Sequence, residues 1–405
     1  MLIHNISKIY GVETNNAGIR KGTDMSKVDS LENAWVLIDN GRIADFGSGE
    51  PPALAESIDA NGKVVTPAFV DCHTHLVFAA GREGEFVDRI KGLSYEQISA
   101  RGGGILNSAR KLAQMSEEEL FQQARERLKM VVKSGTGAIE IKSGYGLDVE
   151  NELKMLRVAR RLGEEGMVPI KTTFLGAHAV PASFKGRTDE YVDYVIREML
   201  PEVAREGLAD YIDVFCEDGY FDVAQTRKIL EAGNEHGLRG RIHVNQFHAF
   251  GGVQLAQQMN ALSVEHLEVL GEGDLETLNQ SDLMPVSLPA CSFFLSIPYT
   301  PAREIIDAGC GLVLASDFNP GSSPVFDLNF VFSLACVKQR LLPGEAFNAL
   351  TINAAHALEM EKECGSIAVG KRADLNFYEI ESLDQIPYYP AFNQVSGVMR
   401  GGSMI

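Results

Sequence analysis

Cationic charge is scarce in this sequence: Lys and Arg total 37 against 55 Asp and Glu, a formal net charge of −18. Such an excess of anionic groups repels phosphate backbones and anionic lipid, which argues against nucleic acid or a membrane surface as partner. Long apolar runs are missing as well. No stretch approaches the roughly 18 residues a bilayer span needs, and Met1 to Tyr10 is too short and mixed for a secretory leader, so a cytoplasmic location is expected. The six cysteines (Cys72, Cys216, Cys291, Cys310, Cys336, Cys364) lack CxxC spacing and indicate neither a disulfide framework nor a zinc ribbon. No low-complexity segment or short repeat occurs. What is present, 45% hydrophobic and 23% charged residues, suits a globular protein with a sizeable core. The 405 residues exceed one typical domain, although α/β barrels often pass 250 residues as one unit.

Both ends read as β-structure. Ala34–Asp39 and Arg42–Gly47 are extended runs joined by Asn40-Gly41, a strong hairpin signal. A comparable set lies near the C-terminus, over Gly370–Tyr378 and Val395–Gly402. Between them apolar strands alternate with helical patterns. The strand candidates are Val64–His75, Ala138–Lys142, Lys171–His178, Tyr211–Glu217, Arg241–Asn245, Ala261–His266, Leu283–Pro289 and Leu312–Asp317. Ser116-Glu117-Glu118-Glu119 reads as a capping box opening a helix to Lys133, and Pro301 as the start of a helix ending at Gly309. The expected fold is α/β: a (β/α)8 TIM-like barrel over 66–355, with a small β-sandwich domain built from 1–65 and 356–405. Chemistry in such barrels gathers at the C-terminal strand ends.

Those ends hold an unusual set of side chains. Asp71-Cys72-His73-Thr74-His75 closes the first run, and alternation along a strand puts both imidazoles on one face. His178, His243 with Asn245 and Gln246, Glu265-His266 and Ser316-Asp317 close later runs; with His248, six of nine histidines sit at or beside strand ends. Three histidines and a carboxylate from different strands suit Zn²⁺ or Fe²⁺, so His73, His75, His243 and Asp317 are the candidate ligands. Such an ion lowers the pKa of bound water and polarises a carbonyl, and Asp317 can also accept the water's proton. His266 is a candidate proton shuttle. One ion is expected: similar barrels that hold two bridge them with a fourth-strand lysine, whereas here that strand ends Phe215-Cys216-Glu217 and Lys142 lies on another strand.

These motifs, with Thr351–Ala355 and Gly365–Asp374, resemble the amidohydrolase superfamily. Within it, Gly81–Phe86, Gly102–Ile105, Ile141–Leu147, Leu175–His178, Glu265–Leu267 and Ala315–Ser322 are similar to the imidazolonepropionase branch, over nearly the whole chain. The resemblance implies hydrolytic opening of the ring of 4-imidazolone-5-propanoate to N-formimidoyl-L-glutamate, a step of histidine degradation. It further implies one Zn²⁺ or Fe²⁺/Fe³⁺ per subunit, a small anionic substrate and a homodimer. By the same resemblance Arg82 holds the propionate, Tyr145, His178 and Gln246 meet the ring or its carbonyl, and Asn319, Gly321 and Ser322 lie on the carboxylate side. Each has a plainer reading: Arg82 as a surface partner of Glu83 or Glu85, Asn319 and Gly321 as turn residues, Ser322 as interchangeable with Ser323. Gln246 departs from members with Glu there; an amide is no general base, which leaves proton transfer to Asp317 assisted by His266. The alternatives are another mononuclear amidohydrolase, such as a nucleobase deaminase or other cyclic amidase, and a scaffold without catalysis.

Overall fold

Two eight-stranded sheets organise the chain. The structure, a computed structural model, describes residues 1–14, 18–54, 56–93, 97–98 and 101–405. One sheet is all parallel and follows chain order: Phe69–Asp71, Thr136–Lys142, Ile170–Ala177, Tyr211–Cys216, Arg239–Val244, Ser263–His266, Met284–Ser287 and Val313–Leu314. All eight predicted barrel strands are there. The last is brought against the first by a bridge between Thr74 and Phe318, with Asp317 N donating to His73 O at 3.0 Å and His75 N to Phe318 O at 2.9 Å. Continuous apolar character in these strands reflects burial on both faces, by helices outside and by side chains within.

The second sheet is mixed and comes from both termini, as expected. It joins Leu2–Tyr10, Ser30–Asp39, Arg42–Ser48, Ser57–Asp59 and Val64–Pro67 to Leu375–Tyr378, Val395–Arg400 and Ser403–Met404. Its Asn40-Gly41 hairpin has both turn residues at positive φ, 48° and 76°, the type I′ geometry that matches strand twist. The run Val64–His75 differs from the continuous strand expected of it. Val64–Pro67 pairs with Leu375–Tyr378 in the terminal sheet, whereas Phe69–Asp71 pairs in the barrel. The change of sheet falls at Ala68, whose N–H turns to Asp374 O at 2.9 Å, directly after a proline with no donor to offer.

Helix signals also hold. Glu117–Lys133 opens on a reciprocal box in which Ser116 Oγ accepts from Glu119 N and the Glu119 side chain accepts from Ser116 N. Its Leu120, Phe121, Ala124, Leu128, Val131 and Val132 are buried, a 3.6-period stripe laid against the barrel. Ala302–Asp307 follows Pro301, and Gly309 terminates the turn at φ 91°. No helix among the described residues is long and apolar enough to cross a membrane.

Candidate active site

His73 and His75 lie just past the first barrel strand, on either side of Thr74. Thr74 is pinned from the second strand: its N–H reaches Glu140 Oε2 at 3.3 Å and its hydroxyl donates to Glu140 O at 2.7 Å. One ligand nitrogen from each of His73, His75 and His243 falls within 4.8 Å of the others. Asp317 Oδ1 stands 3.4 Å from His73 Nε2 and 3.6 Å from His75 Nε2. All four side chains are buried. Asp317 itself sits at φ +53°, a conformation that asparagine and aspartate tolerate better than other side chains.

The donor set fits a cation. His73 Nε2 and His243 Nε2 are buried without a hydrogen-bond partner. Orphaned buried imidazole nitrogens are costly, and an ion between them removes the penalty. Burial alone would lower the His73 pKa, but the Glu265 and Asp317 carboxylates together outweigh it and raise it to about 9, so an ion bound there must displace a proton. Burial pushes Asp317 upward, yet its contact with His73 and the nearby imidazoles hold its carboxyl below the ordinary range. It therefore stays anionic at neutral pH.

Above this cluster is one pocket. Its walls include every residue expected at the site except His73, which lies beneath: His75, Arg82, Tyr145, His178, His243, Gln246, His266, Asp317, Asn319, Gly321 and Ser322. Arg82 is mostly buried rather than a surface arginine, with Nη1 3.8 Å from Glu85 Oε2. Its guanidinium lies so close over Gly321 that a Cβ there would overlap it. Gly321 is thus the spacer that lets the arginine enter the pocket, and Arg89 Nη2 donates to the Gly321 carbonyl at 3.1 Å.

His178 Nδ1 is 3.0 Å from Gly144 O. A carbonyl only accepts, so Nδ1 carries the hydrogen and Nε2 keeps a lone pair. Burial, reinforced by His243, pushes the His178 pKa down to about 3, leaving a neutral acceptor stacked on His75 with ring centroids 5.2 Å apart. Tyr145 lies 5.5 Å from the His178 ring, centroid to centroid. Its loop is wrapped on the buried Glu152 carboxylate, which accepts from Gly144, Gly146 and Leu147 N at 3.1, 2.6 and 3.0 Å.

The Asn319 amide is used within its own loop. It donates to Asp317 O at 2.7 Å and Ser322 Oγ at 2.8 Å, and accepts from Gly321 and Ser322 N at 2.8 and 2.7 Å. Ser323 does not stand in for Ser322: it is buried and donates to Ser316 O at 2.7 Å. Gln246 Nε2 reaches Cys291 Sγ at 3.6 Å, and His266 Nδ1 is 3.2 Å from Glu268 Oε1. His248 is exposed and paired with Glu217 at 3.0 Å.

The sequence assigned no role at the site to several residues found there. Glu140, Lys142, Asp213, Arg241 and Glu265 form a buried ionic layer under the histidines. Glu268 and Cys291 stand behind His266 and Gln246. The alternation of strands held a signal for the layer. Glu140 and Lys142, Arg241 and His243, and Asp213 and Phe215 are each two apart in apolar strands, so all face one interior.

A family model described as the amidohydrolase family matches residues 64–405. The chain belongs to this family. Its relatives include proteins named imidazolonepropionase from Christiangramia forsetii, 51% identical with each chain covered 100%, and from Flavobacterium johnsoniae, 52% identical over 100% of this chain and 99% of the relative. Among solved structures, a triazine hydrolase variant superposes with a TM-score of 0.75 at 15% identity, covering 100% of this chain and 94% of that one. E. coli guanine deaminase gives 0.74 at 13% identity, covering 100% and 99%. These two speak to the amidohydrolase fold only. Family membership and the His/Asp groups together point to a divalent metal.

Proposed function

We propose that the chain is an imidazolonepropionase, opening the ring of 4-imidazolone-5-propanoate by hydrolysis of its cyclic amide C–N bond to give N-formimidoyl-L-glutamate. The observation that carries this reading is a buried arginine, Arg82, in the same pocket as the three-histidine, one-aspartate cluster. In a chain of net charge −18, a buried guanidinium beside the site is the anchor an anionic substrate requires. The full-length relatives at about half identity bear the same name.

The ligand set is His73, His75, His243 and Asp317, taking one Zn²⁺ or Fe²⁺/Fe³⁺ per subunit. Such an ion supplies an acidified water and a polarised carbonyl. Arg82 binds the propionate carboxylate through paired N–H donors. His178, a neutral acceptor, receives a ring N–H, and Tyr145 packs beside it. Asp317 takes the proton of the attacking water, and His266, backed by Glu268, passes a proton toward the leaving nitrogen. Gln246 contributes hydrogen bonding only. Asn319, Gly321 and Ser322 shape the carboxylate end, Asn319 by holding the loop. The barrel over 66–355 carries this machinery, with 1–65 and 356–405 as the small domain; we assign a cytoplasmic homodimer.

Purified protein incubated in parallel with imidazolonepropionate, guanine and cytosine tests the proposal. Turnover of the imidazolone alone is expected. Turnover of a nucleobase in its place overturns it in favour of a deaminase, and no turnover by protein carrying one equivalent of metal favours a scaffold.

A further inference from the structure

We propose that Lys142 is a positioning residue that couples the orientations of the metal-site histidines through carboxylate oxygens it shares with them. The inference rests on reading His73, His75, His243 and Asp317 as the ligand set. Lys142 Nζ lies 2.9 Å from Glu265 Oε2, 2.9 Å from Asp213 Oδ2 and 3.0 Å from Glu140 Oε1. Glu265 Oε2 is also the atom 2.5 Å from His73 Nδ1, and Asp213 Oδ2 is the atom 2.8 Å from His243 Nδ1. One unbroken path therefore runs from His73 through Glu265, Lys142 and Asp213 to His243. The third carboxylate acts on the chain between two ligands: Glu140 Oε2 accepts from the main-chain N of Thr74, which separates His73 from His75.

The other oxygen of each carboxylate is fixed independently. Glu265 Oε1 takes Arg241 Nε and Ser263 Oγ, both at 2.7 Å, and Asp213 Oδ1 accepts from Val214 N at 2.7 Å and His243 N at 3.2 Å. Each carboxylate is thus hinged at one oxygen and steered by Lys142 at the other. Carboxylates facing Nδ1 place the hydrogen there and turn Nε2 of both histidines toward the ion, the usual role of outer partners in metal sites. A lone carboxylate behind each histidine would do that for each separately. The shared ammonium adds a constraint: neither carboxylate can move without changing the position of the other.

Isosteric variants in a double-mutant cycle test this, with ion-free protein titrated with Zn²⁺ against a chromophoric chelator. Asp213→Asn and Glu265→Gln each should weaken Zn²⁺ binding by about 10–100-fold. Coupling through Lys142 predicts that the double variant binds within about threefold of the weaker single variant, rather than at the product of the two losses, which lies at least about tenfold lower. Lys142→Met should show a loss comparable to the double variant. Thermal unfolding of each ion-free form, well above the titration temperature, separates lost positioning from lost fold, and the cycle stands alone if Lys142→Met does not fold. Multiplicative losses, or single losses below about twofold, overturn the coupling while leaving the ligand set intact. Wild-type protein that binds no Zn²⁺ overturns both.

Discussion

The main-chain N–H of Asp317 donates to the carbonyl of His73 at 3.0 Å. That bond helps bring the last barrel strand against the first, and it sets the Asp317 carboxylate beside the His73 and His75 imidazoles. Barrel closure and assembly of the site are here one structural event.

Asp317→Asn tests the separation of these two roles. The main-chain bond survives, and asparagine accepts the positive φ at this position. The ion-free variant should unfold close to the wild-type temperature, while kcat/KM falls by at least about 10²–10⁴-fold, the usual weight of a proton-transfer group, with further loss from weakened metal binding. A variant that retains activity would remove Asp317 from the chemistry.

Arg82 and Gly321 should fail together. Arg82→Ala loses charge-assisted bonds of about 1.5–3 kcal/mol, a rise in KM of about 10–150-fold with kcat little changed, provided the contact is equal in ground and transition states. Gly321→Ala puts a methyl where the guanidinium lies and should raise KM in the same way without touching a charge. Steady-state kinetics decide; an unaltered KM in Arg82→Ala would place the anchor elsewhere.

Acid stability should carry the mark of His178. Its pKa is about 3 when folded, from burial first and then His243, against about 6.5 when unfolded. Between those values the unfolded chain holds the extra proton, so stability present above pH 6.5 is lost as pH falls toward 3. The slope is at most about 1.4 kcal/mol per pH unit for one group. His243, held at about 4, acts in the same direction. Ion-free His178→Gln should therefore show a shallower decline of Tm between pH 6.5 and 4 than wild type. An identical decline in the two proteins would contradict the buried neutral imidazole.

Chelation should abolish activity without unfolding the barrel, because main-chain bonds, not the ion, bring its first and last strands together. Far-UV circular dichroism should be retained, and Zn²⁺ or Fe²⁺ should restore turnover. Loss of secondary structure on chelation would instead make the ion part of the fold.

Much of this was legible in the chain. Apolar runs at βα spacing located all eight barrel strands, because strands buried on both faces need continuous hydrophobicity. The Ser116–Glu119 box and Asn40-Gly41 named their own local structures. The split at Ala68 was not legible, since Val64–Pro67 and Phe69–Asp71 are equally apolar and only their partners differ. The charged layer was partly written in the two-residue spacing of Glu140 and Lys142, or of Arg241 and His243. Nothing local says that those carboxylates share one ammonium.

The sequence by itself determined the alternation of elements and the kinds of side chain carried at the strand ends, since strand periodicity and residue type are local properties. Tertiary structure alone decided how those residues act. His73 and Asp317 lie far apart in the chain and meet only through barrel closure. Arg82 enters the pocket only where Gly321 leaves room. Lys142 serves two histidines only because three strands, each blind to the others in sequence, point their carboxylates at one interior position.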